Sequence, residues 1–375
     1  MLTLPTSILA IPCVLVSVAT AQIVEPRFAL QRGSPVVASE VWPALAASAD
    51  GRAYVVVVLL PPEPNQTRLP ARTRAAVAER QELVLAGLRS DEFQVAYRFD
   101  NFPALTGLAR PEALELLAQH PDVVSIGLDM TGVPALDESV PFIRADKVHI
   151  HHGITGTDTT VAVLDTGVDS DHPDLVDSLR PGAMHFLQQG ANVGPGAEDF
   201  SGHGTNVTGI ITSNGTIAPV GVAPSANVLA IQVINPATGT GFLSDWAAAI
   251  DHVVSVKASH PHLMAINISL VSTVTFSGCP CDNQNPVNQL LAASIQAAAQ
   301  NRIVTVASAG NTSICTQMAS PACVTGAVSV AGSRITGAPD KLLASSSLSP
   351  CTDLAAPGAQ ILSTGLNGGT VQMGG

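Results

Sequence analysis

Four short apolar runs, Thr160–Leu164, Val228–Val233, Leu263–Ile268 and Ile303–Val306, most tightly limit what this chain can fold into. Half-exposed strands alternate polar and apolar residues, whereas continuously apolar strands are covered on both faces. Stretches with helical spacing lie near Gly204–Thr212, Leu243–Ala258 and Val287–Gln300. Strands and helices in alternation imply a parallel sheet, because parallel neighbours need a crossover and a helix usually provides it. The expected class is α/β, with helices on both faces of the sheet.

A second, smaller unit precedes this one. Tyr54–Leu60 is a β-branched run, Thr73–Leu88 has helical spacing, and Phe93–Phe99 alternates. Ala104–Leu108 can pair with the last of these. Pro111 opens a helix that ends near His120, and Val123–Leu128 is a final strand. The order β-α-β-β-α-β is ferredoxin-like, an α+β pattern. Residues 1–21 are apolar and end Ala19-Thr20-Ala21, the small-x-small pattern of a cleaved secretory signal. The domains read as 1–21 signal, 22–52 mobile leader, 53–128 small domain, 129–150 linker with the maturation site between Asp129 and Pro141, and 151–375 main domain.

The formal net charge of −12 and the lack of a basic run weigh against nucleic acid as a partner. No stretch after the leader is long and apolar enough to span a bilayer, so no membrane contact is expected once the signal is removed. Apart from Cys13 in the signal, the cysteines are Cys279, Cys281, Cys315, Cys323 and Cys351. In an exported chain they point to disulfides, with Cys315 and Cys323 as the expected pair across a short loop.

Three segments carry chemistry. An apolar strand delivers Asp165 at its C-terminal end, within Val161-Ala162-Val163-Leu164-Asp165-Thr166-Gly167, where open parallel sheets place their sites. His203 opens a helix between Gly202 and Gly204. Asn311 follows a buried strand in Ser308-Ala309-Gly310-Asn311, where its side-chain N–H can donate to a developing oxyanion. Each has a plain alternative: a turn-capping Asp, a helix-opening His, a Gly-Asn turn. Together they resemble the subtilisin-like serine proteases in type and order. Ala223-Pro224, Asn267-Ile268-Ser269-Leu270 and Leu354-Ala355-Ala356-Pro357-Gly358 add to the resemblance, which runs from about Ala145 to the end.

The resemblance implies a secreted endopeptidase acting on polypeptides, a monomer that needs no cofactor, with Asp165, His203 and Asn311 catalytic. Ser269, Leu270 and Val271 would line one side of the substrate groove, and Ser308, Ala309 and Gly310 the other. Val271 stands where the family usually has Gly, which implies a preference for modest apolar P1 residues. The small domain is similar to the family's propeptide and would act in cis as folding aid and inhibitor. Gly375 stands for the Gly of the family's Gly-Thr-Ser-Met-Ala-type segment, so a Thr and then the nucleophilic Ser would come next, and residues 1–375 are expected to be inactive and of low stability. Ser363 lies too early to replace it. Structural calcium is a further expectation for the family. Asp174 stands where some relatives have a ligand, close to Asp169 and Asp171, yet a solvated loop explains these residues as well and no metal ligand is assigned. The other function classes are a pseudoprotease or binding module, or a stand-alone inhibitor built on the small domain.

Overall fold

The computed structural model describes residues 36–62, 70–134, 142–334 and 341–375. The expected signal (1–21), the leader as far as residue 35, and residues 135–141 of the expected maturation segment lie outside the described residues.

The N-terminal domain contains α1 (Val41–Ala47), β1 (Ala53–Leu59), α2 (Pro70–Leu85), β2 (Phe93–Arg98), β3 (Ala104–Ala109), α3 (Pro111–Gln119) and β4 (Val123–Leu128). Its antiparallel sheet has the order β2-β3-β1-β4. The valine run of β1 divides by parity. Val55, Val57 and Leu59 join the domain's own core with Leu114, Leu117 and Ile126, while Val56 faces the other way into the core of the second domain. Side chains alternate across a strand, so a strand apolar on both faces needs two partners. One departure concerns the leader. From Val36 onward it is packed rather than mobile: Val37 bridges Ile126, and α1 buries Val41 and Leu45 in the domain core.

After β5 (Thr131–Pro134) and α4 (Ala145–His152) comes the main domain. It comprises β6 (Thr160–Asp165), β7 (Met184–Leu187), β8 (Asn192–Pro195), α5 (His203–Thr212), β9 (Asn227–Gln232), β10 (Gly241–Phe242), α6 (Leu243–Val256), β11 (Leu263–Ile268), β12 (Leu270–Ser272), β13 (Thr275–Ser277), α7 (Pro286–Gln300), β14 (Val304–Ser308), β15 (Gln317–Ala319), β16 (Ala327–Ser333), β17 (Leu354–Pro357), β18 (Ile361–Gly365) and β19 (Gly369–Met373). Eight strands form the main sheet in the order β17-β16-β14-β11-β6-β9-β7-β8, parallel except for the β7–β8 pair. This is the expected α/β class. Helices α6 and α7 cover one face, and α5 lies on the other.

The expected linker 129–150 is structured where it is described. β5 is a middle strand between β10 and β12. Helix α4 carries His149, His151 and His152 in its last turn, where the helix dipole favours such residues. The β18–β19 hairpin escaped the sequence reading, although Asn367-Gly368 is a turn signal and both residues take positive φ. The cysteines pair differently from expectation. Cys279 joins Cys351 and Cys281 joins Cys323, with Cα separations of 5.9 and 5.4 Å. Cys315 is exposed and outside both bridges. Burial explains the choice: Cys281 and Cys323 are enclosed in the core beside α7, and Cys315 lies on an exposed loop.

Candidate active site

Parity along β6 aims the first site residue. Val163 packs with Val207 of α5. Asp165, two residues further on, therefore shares that face, and His203 lies one helical turn before Val207. The two side chains meet: His203 Nδ1–H donates to Asp165 Oδ1 at 2.6 Å. The Thr166 N–H donates to the same oxygen at 2.7 Å. Asp165 has no solvent exposure, and the His203 side chain is 10% exposed. A buried carboxylate holding Nδ1–H fixes the imidazole tautomer that leaves Nε2 able to accept a proton.

The start of α5 is anchored from two loops. Its N-cap is Gly202, which has no side chain to satisfy the first-turn N–H groups. The Gly204 N–H instead donates to Thr166 Oγ1 at 2.8 Å. The Thr205 N–H and hydroxyl donate to Asp199 Oδ2 at 2.9 and 2.7 Å, while Asp199 Oδ1 accepts from the Ser201 and Gly202 N–H groups at 2.8 and 2.9 Å. Thr205 Oγ1 also accepts the Asp169 N–H at 2.9 Å. Gln232, at the end of β9, donates from Nε2 to the Thr166 and Glu198 carbonyls at 2.8 Å each. The loops carrying Asp165 and His203 are thus one network. Gly204 is required for the approach, since a Cβ there would strike the Gly167 carbonyl. Sequence reasoning passed over Asp199, Thr205 and Gln232. For Asp199 a usable signal was an acidic residue just before a helix with a glycine cap.

Asn311 is exposed and lines a cavity of about 560 Å³ with Gly358, Met373, Gly374 and Gly375. Met373 also reaches toward the His203 loop, its Cε 3.9 Å from where a side chain at Gly202 would begin. Leu270 and Val271 lie in β12, and Ser269 immediately precedes it, its Oγ accepting from Asn267 Nδ2 at 3.0 Å. Ser308 ends β14, and Ala309 and Gly310 follow. The Gly310 carbonyl accepts the Ser347 N–H at 2.7 Å. Of the two expected walls, the first, Ser269–Val271, has a strand beside it. β5 pairs antiparallel with the first, Val133 opposite Val271 and Pro134 opposite Leu270, and on its other edge with β10. Ser363 is buried and donates to the Asn206 carbonyl at 3.0 Å.

Asp174 does not fit a calcium ligand. Its Oδ1 accepts the Ile217 N–H at 2.8 Å, and its Oδ2 accepts the Ala218 N–H at 2.7 Å and the Ser213 hydroxyl at 3.0 Å. Donors crowded around a carboxylate stand where a cation's other oxygen ligands would have to be. Asp169 Oδ2 accepts the Gly368 N–H at 3.2 Å. Among the described residues no three His, Cys, Asp or Glu side chains converge as a metal set.

The family described as the subtilase family matches residues 156–375. M-protease of Shouchella clausii (strain KSM-K16) is 33% identical over 199 residues, covering 50% of this chain and 50% of its own. Subtilisin E of Bacillus subtilis (strain 168) is 31% identical over 204 residues, covering 53% and 49%. The chain spans about half the length of the curated relatives it matches. The crystal structure of the epidermin leader peptide processing serine protease of Staphylococcus aureus superposes with a TM-score of 0.65 at 19% identity, over 86% of this chain and 84% of that one. That likeness is one of fold, and it extends into the N-terminal domain.

Proposed function

The chain belongs to the subtilase family, and on that premise we propose that it is the precursor of a secreted serine endopeptidase hydrolysing polypeptides. The observation that carries this reading is the 2.6 Å hydrogen bond between the His203 imidazole and the enclosed Asp165 carboxylate. In the reaction, His203 Nε2 takes the proton of a serine hydroxyl as that oxygen attacks the peptide carbonyl, then returns it to the leaving amine. Asp165 stabilises the imidazolium without itself taking the proton. Asn311 donates to the oxyanion. The serine is the one that the family pattern puts two positions after Gly375. The reaction draws on no cofactor.

The substrate would extend along Ser269–Val271 and Ser308–Gly310 as an added strand, the place β5 takes along β12. The N-terminal domain is its inhibitor in cis, and maturation cuts between Asp129 and Pro141. Val271 stands opposite Val133 of β5, so a side chain at this position is compatible with strand addition, and the preference is for modest apolar P1 residues. Residues 1–21 direct export, and the mature enzyme is a monomer. Among the described residues no helix is long and apolar enough to cross a membrane.

The test is hydrolysis of a peptide anilide by the chain extended through its reading frame, beside residues 1–375. We expect activity only from the extended chain, and a loss on the order of 10⁶-fold on His203→Ala. Hydrolysis by residues 1–375 that His203→Ala abolishes would overturn the assignment of the nucleophile. An extended chain that binds peptides without cutting them would make the protein a binding module.

A further inference from the structure

The seam between the N-terminal domain and the main domain is built on carboxylates. Asp129, just before β5, accepts the Ser244 N–H at 2.9 Å and the Met130 N–H at 3.0 Å through Oδ1, and the Ser244 hydroxyl through Oδ2. It thereby caps the first turn of α6 from across the seam. The next residue of that helix, Asp245, is fully buried. It accepts the Tyr97 hydroxyl of β2 at 2.6 Å, and the N–H groups of Gln189 and Gly190 at the β7–β8 tip at 3.1 Å each. Further along α6, Asp251 accepts the Asp100 and Asn101 N–H groups of the N-terminal domain at 3.0 and 3.1 Å. Among the described residues no Lys, Arg or His forms an ion pair with any of the three.

The surroundings supply no compensating charge. Tyr97 faces Asp245, and burial and the charges of Asp245 and Asp129 keep its hydroxyl protonated. Arg98, next on β2, pairs with Glu82. Asp100 adds a like charge near Asp251. His252 packs on the Phe186 ring, centroids 5.5 Å apart, and burial followed by His260 holds its imidazole below the usual range. The β7–β8 tip presents Gln188, Gln189 and Gly190, none charged. A cavity of about 390 Å³, lined in part by Tyr54, Gln189 and Phe242, borders Asp245.

We propose that this seam is a proton-operated latch: with Asp129, Asp245 and Asp251 protonated the N-terminal domain stays seated and β5 stays in the groove, and ionisation of the three as pH rises loosens it. The latch rests on the reading of β5 as occupant of the substrate groove, and adds to it a means of control. Burial, then the charge of Asp245, pushes Asp129 up to about 7. Burial pushes Asp245 up to about 6, against its hydrogen bonds, and raises Asp251. In an opened seam the carboxylates return to the ordinary value near 3.9. The closed seam therefore holds more protons than the open one. Its extra stability is complete below about pH 4 and is lost as pH rises through 6 and 7.

Hydrogen exchange of residues 1–375 at pH 5 and pH 8, corrected for the intrinsic rate, tests this. The amides of Asp100, Asn101, Gly190 and Ser244 should open at least about tenfold more often at pH 8, while those of α5 stay unchanged. Asp129→Asn and Asp245→Asn, each read separately in case one fails to fold, should shrink that difference several-fold. Equal seam protection at both pH values, or an asparagine variant that keeps the full wild-type dependence, would overturn the latch. The Thr131, Gly132 and Val133 amides separate the two readings. If they are unprotected at every pH, groove occupancy fails; if they and the seam are equally protected at both pH values, only the latch fails.

Discussion

At the scale of single residues, the site depends on side chains that never touch a substrate. Gly204 lets the helix carrying His203 approach Asp165, while Gly202 leaves its first turn without a cap of its own. Thr166 and Asp199 provide one, and Asp199 does so with four hydrogen bonds from a position 4% exposed. Hydrogen bonds to a buried charge are among the stronger ones, and stranding their donors adds to the loss. Asp199→Ala should therefore cost about 2–4 kcal/mol in urea unfolding. It should also shift or broaden the low-field proton resonance of the His203 Nδ1–H, a signal that a remote destabilisation would leave in place. A variant as stable as the parent with that resonance intact would remove Asp199 from the site.

Among the elements, the clearest relation is between β6 and α5. Period two on the strand and period 3.6 on the helix bring Asp165 and His203 to the same level because Val163 and Val207 already pack there. The two disulfides work at the same scale on the opposite side of the sheet. They tie the segment after β13 to residues 42 and 72 positions further on. Closing loops of that length restricts the unfolded chain, so Cys281→Ala with Cys323→Ala should cost about 4 kcal/mol. Guanidinium unfolding of the double variant would measure it, and a change below 1 kcal/mol would contradict the loop-closure account. Cys315→Ala, on an exposed loop, is the control.

For the molecule as a whole, the two domains share a core. Val56, Phe99, Phe102 and Ala104 of the N-terminal domain belong to the same cluster as Trp246, Ile250 and Val253 of α6. Phe99 is 1% exposed and stacks on Phe102 with centroids 4.6 Å apart. Phe99→Ala should therefore cost about 3–5 kcal/mol, and the wild-type chain should unfold in one step seen alike by fluorescence and circular dichroism. Two separate transitions would mean that the shared core does not couple the domains. The same continuity makes a proton-sensitive seam consequential, since weakening it acts on the cover of the groove.

What the amino-acid order determined by itself was local. Apolar runs, helical spacing and Pro111 located β1 to β4, α2 and α3 of the N-terminal domain and β6, β9, β11, β14, α5, α6 and α7 of the main one, because period and propensity act over a few residues. Asp165 and His203 were legible for the same reason, each framed by its own short motif. Three things were settled only in the folded chain. Cys281 joined Cys323 rather than Cys315 because burial brought those two together. Thr131–Pro134, read as linker, became a strand because β10 and β12 offered it two edges. Asp129 and Asp245, 116 positions apart in the chain, became neighbours because the N-terminal domain sits on α6. Each of these depends on which distant surface a segment meets, and nothing in a local window encodes that meeting.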